Sequence, residues 1–400
     1  MRRLAMVAVV LLICVGAADA AEVRLVVTGG KVDAVNVPLS AAIAVPEDLK
    51  AAVPDGLRVA MKSADGSAVA GQITVCPCCG TKVCWIAPKV PAGRKQTWTA
   101  TLRKGSPASG GFGFKDTKGK HLDLLLGGRR VTRYMYARDT STAAAAHATY
   151  KVYTHVFDED GTAPITKGPG GRYTHHRGIF LGYSRLGYDG GKRSDWWHMK
   201  NVTQEHQKFL ALKAGPVLGA SAMEIHWLDG AGKPVVVEQR RQIVYRQPAP
   251  AIMLFEFRST LTAARSDVDL NGDPEHAGFQ YRPANEVNTK ATRYLFPTDR
   301  ITAGNVKREV DLPWAAECYE LGGKKYTVQH MNHLSNPKGT KYSAYRDYGR
   351  FGTFAKAKIA KGESLTLRHR IWVAAGEQLD RDAMQARAAA FVDPPKVEAQ

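Results

Sequence analysis

The sequence predicts a mainly β protein, in which a small N-terminal β-sandwich is followed by a large antiparallel β-sandwich and a short C-terminal helix. Short runs that alternate apolar and polar residues recur along the chain, separated by turns rich in Gly, Pro and Asp. Few segments show the period of a helix. Because strands follow strands without helices between them, the pattern favours antiparallel sheets over a parallel α/β fold.

The first twenty residues precede this pattern and predict a signal peptide. Arg2 and Arg3 are followed by an apolar run and then by a small-x-small site that ends at Ala20. We therefore expect Sec-type export, cleavage after Ala20 and a mature chain in the periplasm or outside the cell. No later stretch reaches about 18 uncharged apolar residues, so we expect no membrane span.

Residues 22–103 predict the small β-sandwich. The segments "EVRLVV", "LSAAIAV", "LRVAM", "VAGQITV", "KVCWIA" and "QTWTATL" are separated by turn residues, and Asp65-Gly66 is a strong hairpin signal. Six strands in so short a stretch are typical of a small sandwich domain. The following "KGSPASGG", residues 104–111, has the composition of a linker.

Cysteines concentrate at one predicted hairpin tip of this first domain. Cys76, Cys78, Cys79 and Cys84 lie close together, whereas Cys318 stands alone. In an oxidising compartment this count predicts one or two disulfides and a spare thiol. A structural zinc site normally needs a second ligand pair, and none follows at a useful spacing, although the four clustered thiols could themselves hold one metal ion. Both alternatives stay open.

Residues 112–376 predict the large antiparallel β-sandwich. Its strand segments include "GFGFKDTKGKHLDLLLGG", "ATYKVYTHVF", "RGIFLGYSRL", "SAMEIHWLDGAGKPVVVEQRRQIVYR", "AIMLFEFRSTLTA", "KKYTVQHMNH", "YGRFGTFAKAKI" and "SLTLRHRIWVA". Residues 377–391, "EQLDRDAMQARAAAF", are rich in helix-forming residues and predict the one clear helix, within a C-terminal helix and tail at 377–400.

Histidine, arginine, aspartate and tryptophan side chains, which can bind or act on a ligand, are concentrated in two neighbouring segments, "RYTHHRGIFLGY" and "SDWWHMKN". Histidine titrates near neutral pH and can move a proton, with a carboxylate as its partner. Tryptophan stacks on the apolar face of a sugar, while Arg and Asp bind its hydroxyl groups. A strand that begins at 175 would place His175 and Arg177 on one side. The two segments supply His175, His176 and Asp195 as catalytic candidates and Arg177, Trp197 and His198 as substrate-binding candidates.

Glu238 is a further catalytic candidate because it interrupts an apolar strand. A buried carboxylate needs a partner, for which Arg240 and Arg282 are available, and it serves either a structural ion pair or acid–base catalysis. Other polar groups lie at predicted strand ends, where sandwich proteins build ligand sites. These substrate-binding candidates are Arg282, His333, Asn336, Arg346 and Tyr348.

Other classes of site find less support in the sequence. His175, His176, His198 and His333 could furnish a metal site, but no HxH or HExxH spacing supports one, and we predict no metal or cofactor. There is no nucleophile motif, no phosphate-binding loop and no nucleic-acid motif. The net charge of +19 fits either solubility or an anionic polysaccharide partner.

Seven segments in one order resemble an exported bacterial family of unknown function that is labelled "methane oxygenase PmoA". They are "THHRGIFLGY", "DWW", "VVVEQRRQIVY", "GFQYR", "NHLSNP", "RDYGRF" and "LTLRHRIWVAAGE", between about Tyr134 and Gly376. The chain departs from the family's usual residues at Tyr173, Trp196, Asn332 and Leu334. The resemblance implies a sandwich similar to the galactose-mutarotase type, with His and Glu acting on a concave face. A literal methane monooxygenase is rejected, because that enzyme needs membrane helices.

Together these patterns favour an exported carbohydrate-active protein that uses His/carboxylate acid–base chemistry, as an epimerase, lyase or hydrolase. His175 or His176 would move the proton with Asp195 or Glu238 as its carboxylate, and Trp197 would be the stacking platform. Two alternatives remain. One is a carbohydrate-binding or envelope protein without turnover, and the other is a metal-dependent oxidoreductase.

Overall fold

The computed structural model of the chain describes residues 20–76, 80–106 and 109–400. The predicted signal peptide lies outside the described residues, apart from Ala20. The mainly β fold class is confirmed, with several antiparallel sheets and three short helices. No helix of the described residues is both long and apolar enough to cross a membrane.

The strands and helices have the following bounds. The first part of the chain forms β1 Ala20–Thr28, β2 Ala34–Ala42, α1 Glu47–Lys50, β3 Leu57–Ser63, β4 Ala68–Cys76, β5 Gly80–Val90 and β6 Lys95–Lys104. The middle forms β7 Phe112–Thr117, β8 His121–Leu126, β9 Arg129–Met135, α2 Ala143–Ala148, β10 Tyr153–Val156, β11 Ile179–Tyr183, β12 Leu186–Tyr188, β13 Lys192–Ser194, β14 Thr203–Ala214, β15 Leu218–Leu228, β16 Pro234–Tyr245 and β17 Ala251–Ala263. The last part forms β18 Val268–Leu270, β19 Ala277–Tyr281, β20 Arg293–Leu295, a 3-10 turn Val306–Arg308, β21 Trp314–Leu321, β22 Lys324–Asn332, β23 Lys341–Tyr342, β24 Phe351–Phe354, β25 Ala357–Ile359, β26 Ser364–Ala375, α3 Arg381–Val392 and β27 Lys396–Ala399.

The first sheet has the strand order β2-β5-β4-β3-β6-β1-β27 and is antiparallel throughout. It curls around its own core, because the rings of Trp85 on β5 and Trp98 on β6 are 5.9 Å apart although two strands separate them. The two ends of the order, β2 and β27, also contact each other. The six predicted strands are confirmed, and the seventh comes from the C-terminal tail, where Val397 pairs with Val27.

Of the four clustered cysteines, only Cys84, on β5, has a described side chain. It is buried and forms no disulfide within the described residues; its Sγ lies 3.6 Å from Oγ1 of Thr74, and burial raises its pKa. The disulfide or metal assignment of the cluster stays a prediction. Cys78, Cys79 and the side chain of Cys76 lie outside the described residues, within which no group of three or more His, Cys, Asp or Glu side chains could hold a metal ion.

Two eight-stranded sheets form the large sandwich. We call the sheet β23-β24-β19-β11-β10-β9-β8-β7 the front sheet and the sheet β14-β15-β16-β17-β26-β22-β21-β20 the back sheet. Alternate residues of β11, such as Ile179 and Leu181, enter the shared core, whereas Phe180 lies on the outer face of the front sheet. Gln242 of the back sheet donates to Thr154 of the front sheet at 2.8 Å, so both lie on inner faces.

Two smaller elements complete the chain. A four-stranded sheet of order β13-β12-β18-β25 lies beside the sandwich. Helix α3 covers the outer face of the back sheet, where it packs on Trp314, Met331 and Trp372. The sequence predicts this helix over 377–391. It starts four residues later, because Asp380 caps it by accepting the backbone N–H of Ala383 at 3.0 Å.

Candidate functional site

Three connecting segments meet on the outer face of the front sheet. They are the turn before β11, the loop between β13 and β14, and the turn before β19. Their side chains cover an apolar patch made by Tyr153, Phe180 and Trp197. The first segment is a turn rather than the start of a strand: the backbone of Tyr173 has φ 56°, and the N–H of His176 donates to its carbonyl at 2.9 Å.

Four histidines, one or two from each segment, lie side by side on this patch. We call His175, His176, His198 and His276 the histidine cluster. The ring of His175 is 4.4 Å from that of His176 and 4.3 Å from that of His198. The rings of His198 and His276 are 5.4 Å apart. The predicted gathering of His175, His176 and His198 is therefore present in the structure.

Asp195 orients His198. Its Oδ1 accepts the backbone N–H groups of Trp197 at 3.0 Å and His198 at 2.8 Å, and its Oδ2 lies 2.7 Å from Nδ1 of His198. Burial opposes ionisation of Asp195, but the hydrogen bonds from His198 and Trp197 lower its pKa overall. A carboxylate at Nδ1 fixes that nitrogen as the donor and leaves Nε2 as the basic atom.

A second pair repeats this geometry. Oδ1 of Asp273 accepts the backbone N–H of His276 at 3.1 Å and lies 2.9 Å from Nδ1 of the same residue. His276 is not among the residues that the sequence patterns predicted for the site. The signal that could have found it is the spacing Asp-x-x-His, which "DWWH" at 195–198 and "DPEH" at 273–276 share.

The two adjacent histidines are held neutral. Burial lowers the pKa of His175 to about 2, with further contributions from Lys151 and from the neighbouring imidazoles. The pKa of His176 falls well below its ordinary value because it is buried and Arg350 lies near. At neutral pH these uncharged rings can accept a hydrogen bond or a proton, but they do not carry an extra proton that they could donate.

Arg177, a predicted ligand clamp, is instead part of the support. It is fully buried and donates to the carbonyl oxygens of Thr174, His176 at 3.0 Å and His147 at 3.2 Å. These bonds fix the turn that carries His175 and His176. Because its guanidinium has no exposed surface, Arg177 cannot contact a substrate in this structure.

Trp197 cannot serve as the predicted stacking platform. Its side chain is 0% exposed, and His176, Phe180 and Arg350 surround its ring. The sequence could not show that Trp197 is buried, because the same motif fits a tryptophan buried beneath a site and a tryptophan that stacks on a ligand. The aromatic ring that faces solvent is Tyr173, which is 38% exposed.

The loop 346–348 borders the cluster. The ring of Tyr348 stacks 6.2 Å from that of His176, and Arg282 donates to the carbonyl of Tyr348 at 2.6 Å. Arg346 pairs with Glu275, the residue directly before His276. The structure therefore brings Tyr348 and Arg346 to the site, whereas Arg282 is buried beneath it and holds the loop.

Glu238 lies on the other side of the front sheet from the histidine cluster. It is fully buried between the two sheets, where it accepts from Arg240 at 2.8 Å, Trp227 at 2.9 Å and Ser259 at 2.8 Å. Of the two alternatives, the structural ion pair with Arg240 is correct. The assignment of Glu238 as a catalytic candidate is wrong, because side chains alternate across a strand and this one faces the core.

His333 and Asn336 also lie away from the cluster. His333 packs against Phe391 of α3 at 5.1 Å, on the far side of the back sheet. Asn336 accepts the N–H of Arg368 at 2.8 Å and donates to its carbonyl at 2.7 Å, which closes a turn. Their assignment as substrate-binding residues is therefore wrong for a site built on His175 and His198.

Two members of the histidine cluster, His198 and His276, reach the surface, and two large cavities of the described structure lie elsewhere. Cavities of about 520 Å³ and 360 Å³ lie between the first sheet and the strands β14 and β15, and no residue of the cluster lines them. His198 and His276 keep 30% and 42% of their side chains exposed. An extended ligand could therefore reach both oriented imidazoles at once.

These features define a β-sandwich protein with histidine–carboxylate pairs on the outer face of one sheet. The chain matches the model of a family of unknown function, DUF6807, over residues 121–389, and it belongs to that family. The match includes the whole histidine cluster. It does not test the PmoA label or the mutarotase likeness, which stay predictions.

Comparisons with curated proteins and with solved structures do not identify a function. A comparison with curated proteins found no match. Among solved structures, a heparinase III is similar with a TM-score of 0.27 and 9% identity, over 69% of this chain and 38% of that one. The chain therefore spans about two fifths of the heparinase, and a likeness this small carries no argument about function.

Proposed function

We propose that this protein is exported, binds a glycan at the histidine cluster and acts on it by histidine–carboxylate acid–base chemistry. The observation that carries the proposal is the Asp195–His198 pair, 2.7 Å between Oδ2 and Nδ1, with its ring 4.3 Å from the ring of His175. An imidazole oriented by a carboxylate is a common general base, since the carboxylate stabilises the imidazolium that forms.

The two oriented histidines suggest how a proton would move. Nε2 of His198 is free to take a proton from a hydroxyl or carbon of a bound sugar. His276, whose ring is 5.4 Å away, is oriented in the same way by Asp273. In its imidazolium form it could donate the proton of Nε2 to the other side of the reacting group, and the proton that His198 has taken would return to solvent. Tyr173 offers an exposed aromatic face on which a sugar ring could stack.

A glycan panel tests the proposal. The purified chain is incubated with neutral, uronate and sulfated oligosaccharides, and products are followed by mass spectrometry. Binding is followed by thermal shift. We expect turnover of at least one glycan, lost in His198→Ala. The matched control is His226→Ala, because His226 forms a comparable pair with Glu224 at 3.1 Å outside the cluster. Equal turnover in His198→Ala and the wild type would disprove this site.

Export is a separate part of the proposal and has its own test. It depends on the predicted signal peptide at residues 1–20. Expression of the full chain in a bacterium, followed by cell fractionation and N-terminal sequencing, should give a processed chain that starts at Ala21. A cytoplasmic chain that retains Met1 would contradict it.

A further inference from the structure

Buried cations are distributed unevenly in this molecule. Seven lysines and arginines are buried among the described residues: Lys151, Lys167, Arg177, Arg240, Arg282, Arg350 and Arg370. Two of them have carboxylate partners, since Arg240 pairs with Glu238 at 2.8 Å and Arg370 with Glu256 at 2.7 Å. The other five surround or support the histidine cluster, and each has only neutral partners.

The hydrogen bonds of these five cations go to uncharged oxygens. Lys151 donates to the carbonyl of Trp197 at 2.7 Å, and Lys167 to those of Gly168 at 3.0 Å and His176 at 3.3 Å. The three arginines behave alike. Arg177 and Arg282 donate to backbone carbonyls, and Arg350 donates to the side-chain amide oxygen of Gln280 at 3.0 Å.

Nearby carboxyl groups do not cancel this charge. Asp195 and Asp273 are each engaged by a histidine, and Glu275 by Arg346 and Lys307. Glu286 acts on Lys167 alone among the five, from an exposed position. Glu317 lies beneath Gly349, near Arg282, but burial raises its pKa well above the ordinary value, which disfavours its charged form.

Burial lowers the pKa of Lys151 well below its usual range and that of Lys167 to about 7, which disfavours the charged form of both lysines. The lasting positive charge beneath the cluster is therefore that of Arg177, Arg282 and Arg350.

Buried nitrogen atoms without hydrogen-bond partners also favour an anionic ligand near the cluster. Nε1 of Trp197, Nδ1 of His176 and the Nε atoms of Arg346 and Arg350 are buried and have no hydrogen-bond partner in the described structure. Burying a cation without a counter-ion is costly, and its field is strong where little water screens it. An anionic ligand at the mouth of the cluster would offset that cost.

We infer that the histidine cluster takes an acidic glycan, whose carboxylate or sulfate group lies in the field of the three buried arginines Arg177, Arg282 and Arg350. This inference rests on the proposed function and narrows its substrate class. The exposed groups at the mouth, which are His198, His276, Tyr173 and Arg346, would contact the sugar. The buried cations would act on its charge from below.

Titration calorimetry with three tetrasaccharides of equal length tests the inference: one of galacturonic acid, one sulfated galactan and cellotetraose. At low salt we expect an acidic tetrasaccharide to bind about tenfold tighter than cellotetraose, with an advantage that shrinks as salt is added. The two acidic probes distinguish carboxylate from sulfate. Equal affinity for the neutral and acidic sugars would overturn the inference while leaving the proposed function intact.

Arg350→Met is the most direct variant, and Arg240→Met is its matched control. Because Arg350 is buried with the amide of Gln280 as its partner and no counter-ion, its removal should leave the melting temperature unchanged or higher while lowering affinity for the acidic sugar about tenfold. Arg240→Met breaks a compensated pair and should lower the melting temperature clearly. An equal loss in melting temperature for both variants would contradict the uncompensated charge.

A surface variant and a small probe cover the remaining outcomes. Arg172 lies over the rings of Tyr173 and Tyr348, at 4.9 and 5.2 Å, and Arg172→Ala should weaken acidic binding about twofold to fivefold. Arg258→Ala, at an exposed position of β17 in the back sheet, should not weaken it. Inorganic sulfate should shift the NMR signals of His198 and His276. Sulfate binding without any glycan binding would overturn the proposed function and leave only an anion site, whereas glycan binding without sulfate binding or a preference for acidic sugars would overturn the inference alone.

Discussion

Two groups of histidines in this molecule look alike by distance and differ in surroundings. The histidine cluster lies on the outer face of the front sheet, and His330 and His369 form a pair inside the sandwich, with rings 5.2 Å apart. In the inner pair, Phe279 stacks on His369 at 4.7 Å and the hydroxyl of Tyr342 lies 3.1 Å from Nδ1 of His330. No carboxylate contacts either ring among the described residues.

Protonation does not separate the two groups. Burial lowers the pKa of His330 to about 3, and that of His175 falls to about 2. What differs is orientation and access, since Asp195 and Asp273 hold two outer imidazoles by Nδ1 and both rings reach solvent. A depressed pKa is therefore weak evidence of function here, whereas a carboxylate-held ring at an open surface is stronger evidence.

The largest expected effect is on turnover in His198→Ala. Loss of an oriented general base typically costs about 10²- to 10⁴-fold in rate. Because His198 is partly exposed, we expect the free energy of unfolding to change by less than about 0.5 kcal/mol. Initial rates on the glycan that the panel identifies, together with urea unfolding curves, measure both. A large loss of stability with unchanged rate per folded molecule would place His198 with the structural histidines.

A substitution in the inner pair should lower stability and leave turnover unchanged. His369→Ala removes a buried ring that stacks on Phe279, and we expect it to lower the free energy of unfolding by about 2–4 kcal/mol. Turnover per folded molecule should not change. Urea unfolding measures the loss, with His226→Ala as the surface control. If His369→Ala unfolds like the wild type and is inactive, the comparison between the two groups fails.

The sequence predicted the architecture well because it depends on patterns within single segments. Alternation and turn residues located the six strands of the first sheet and most of the sandwich strands. They did not show that residues 396–399 return to pair with β1, because that pairing joins the two ends of the chain. Long-range pairing leaves no local signal.

The candidate site was predicted in part for the same reason. Adjacent histidines and the "DWWH" motif located three members of the cluster. The sequence did not show, however, which face of its sheet each side chain lies on. Glu238 faces the core and His333 faces α3, although both lie in motifs as polar as the others. Arg177 and Trp197 lie at the predicted place in a different role, since burial depends on neighbours from distant segments.

Acid should destabilise the fold through both groups. His330 has a pKa of about 3 in the folded chain and about 6.5 when unfolded, so between these values the unfolded chain binds the extra proton. The free energy of unfolding therefore falls as pH drops below about 6.5, by up to about 1.4 kcal/mol per pH unit for this residue. His175 should contribute less to this loss of stability, because solvent reaches its ring.

Two variants assign this pH dependence. Urea unfolding at about pH 7 and about pH 5 should show a shallower slope in His330→Gln than in the wild type, and a slightly shallower slope in His175→Gln. Identical slopes in all three proteins would mean that neither buried imidazole stays neutral in the folded chain.

The smallest expected effect concerns the second oriented histidine. Asp273→Asn keeps the shape of the turn but removes the charge that holds Nδ1 of His276 at 2.9 Å, so the ring loses its fixed tautomer. We expect turnover to fall about threefold to tenfold, less than in the corresponding Asp195→Asn, because His276 is the more exposed of the two rings. The pH–rate profile is the decisive measurement. A shift of one limb in Asp273→Asn would show that His276 moves a proton, whereas an unchanged profile with weaker binding would make it a contact for the sugar only.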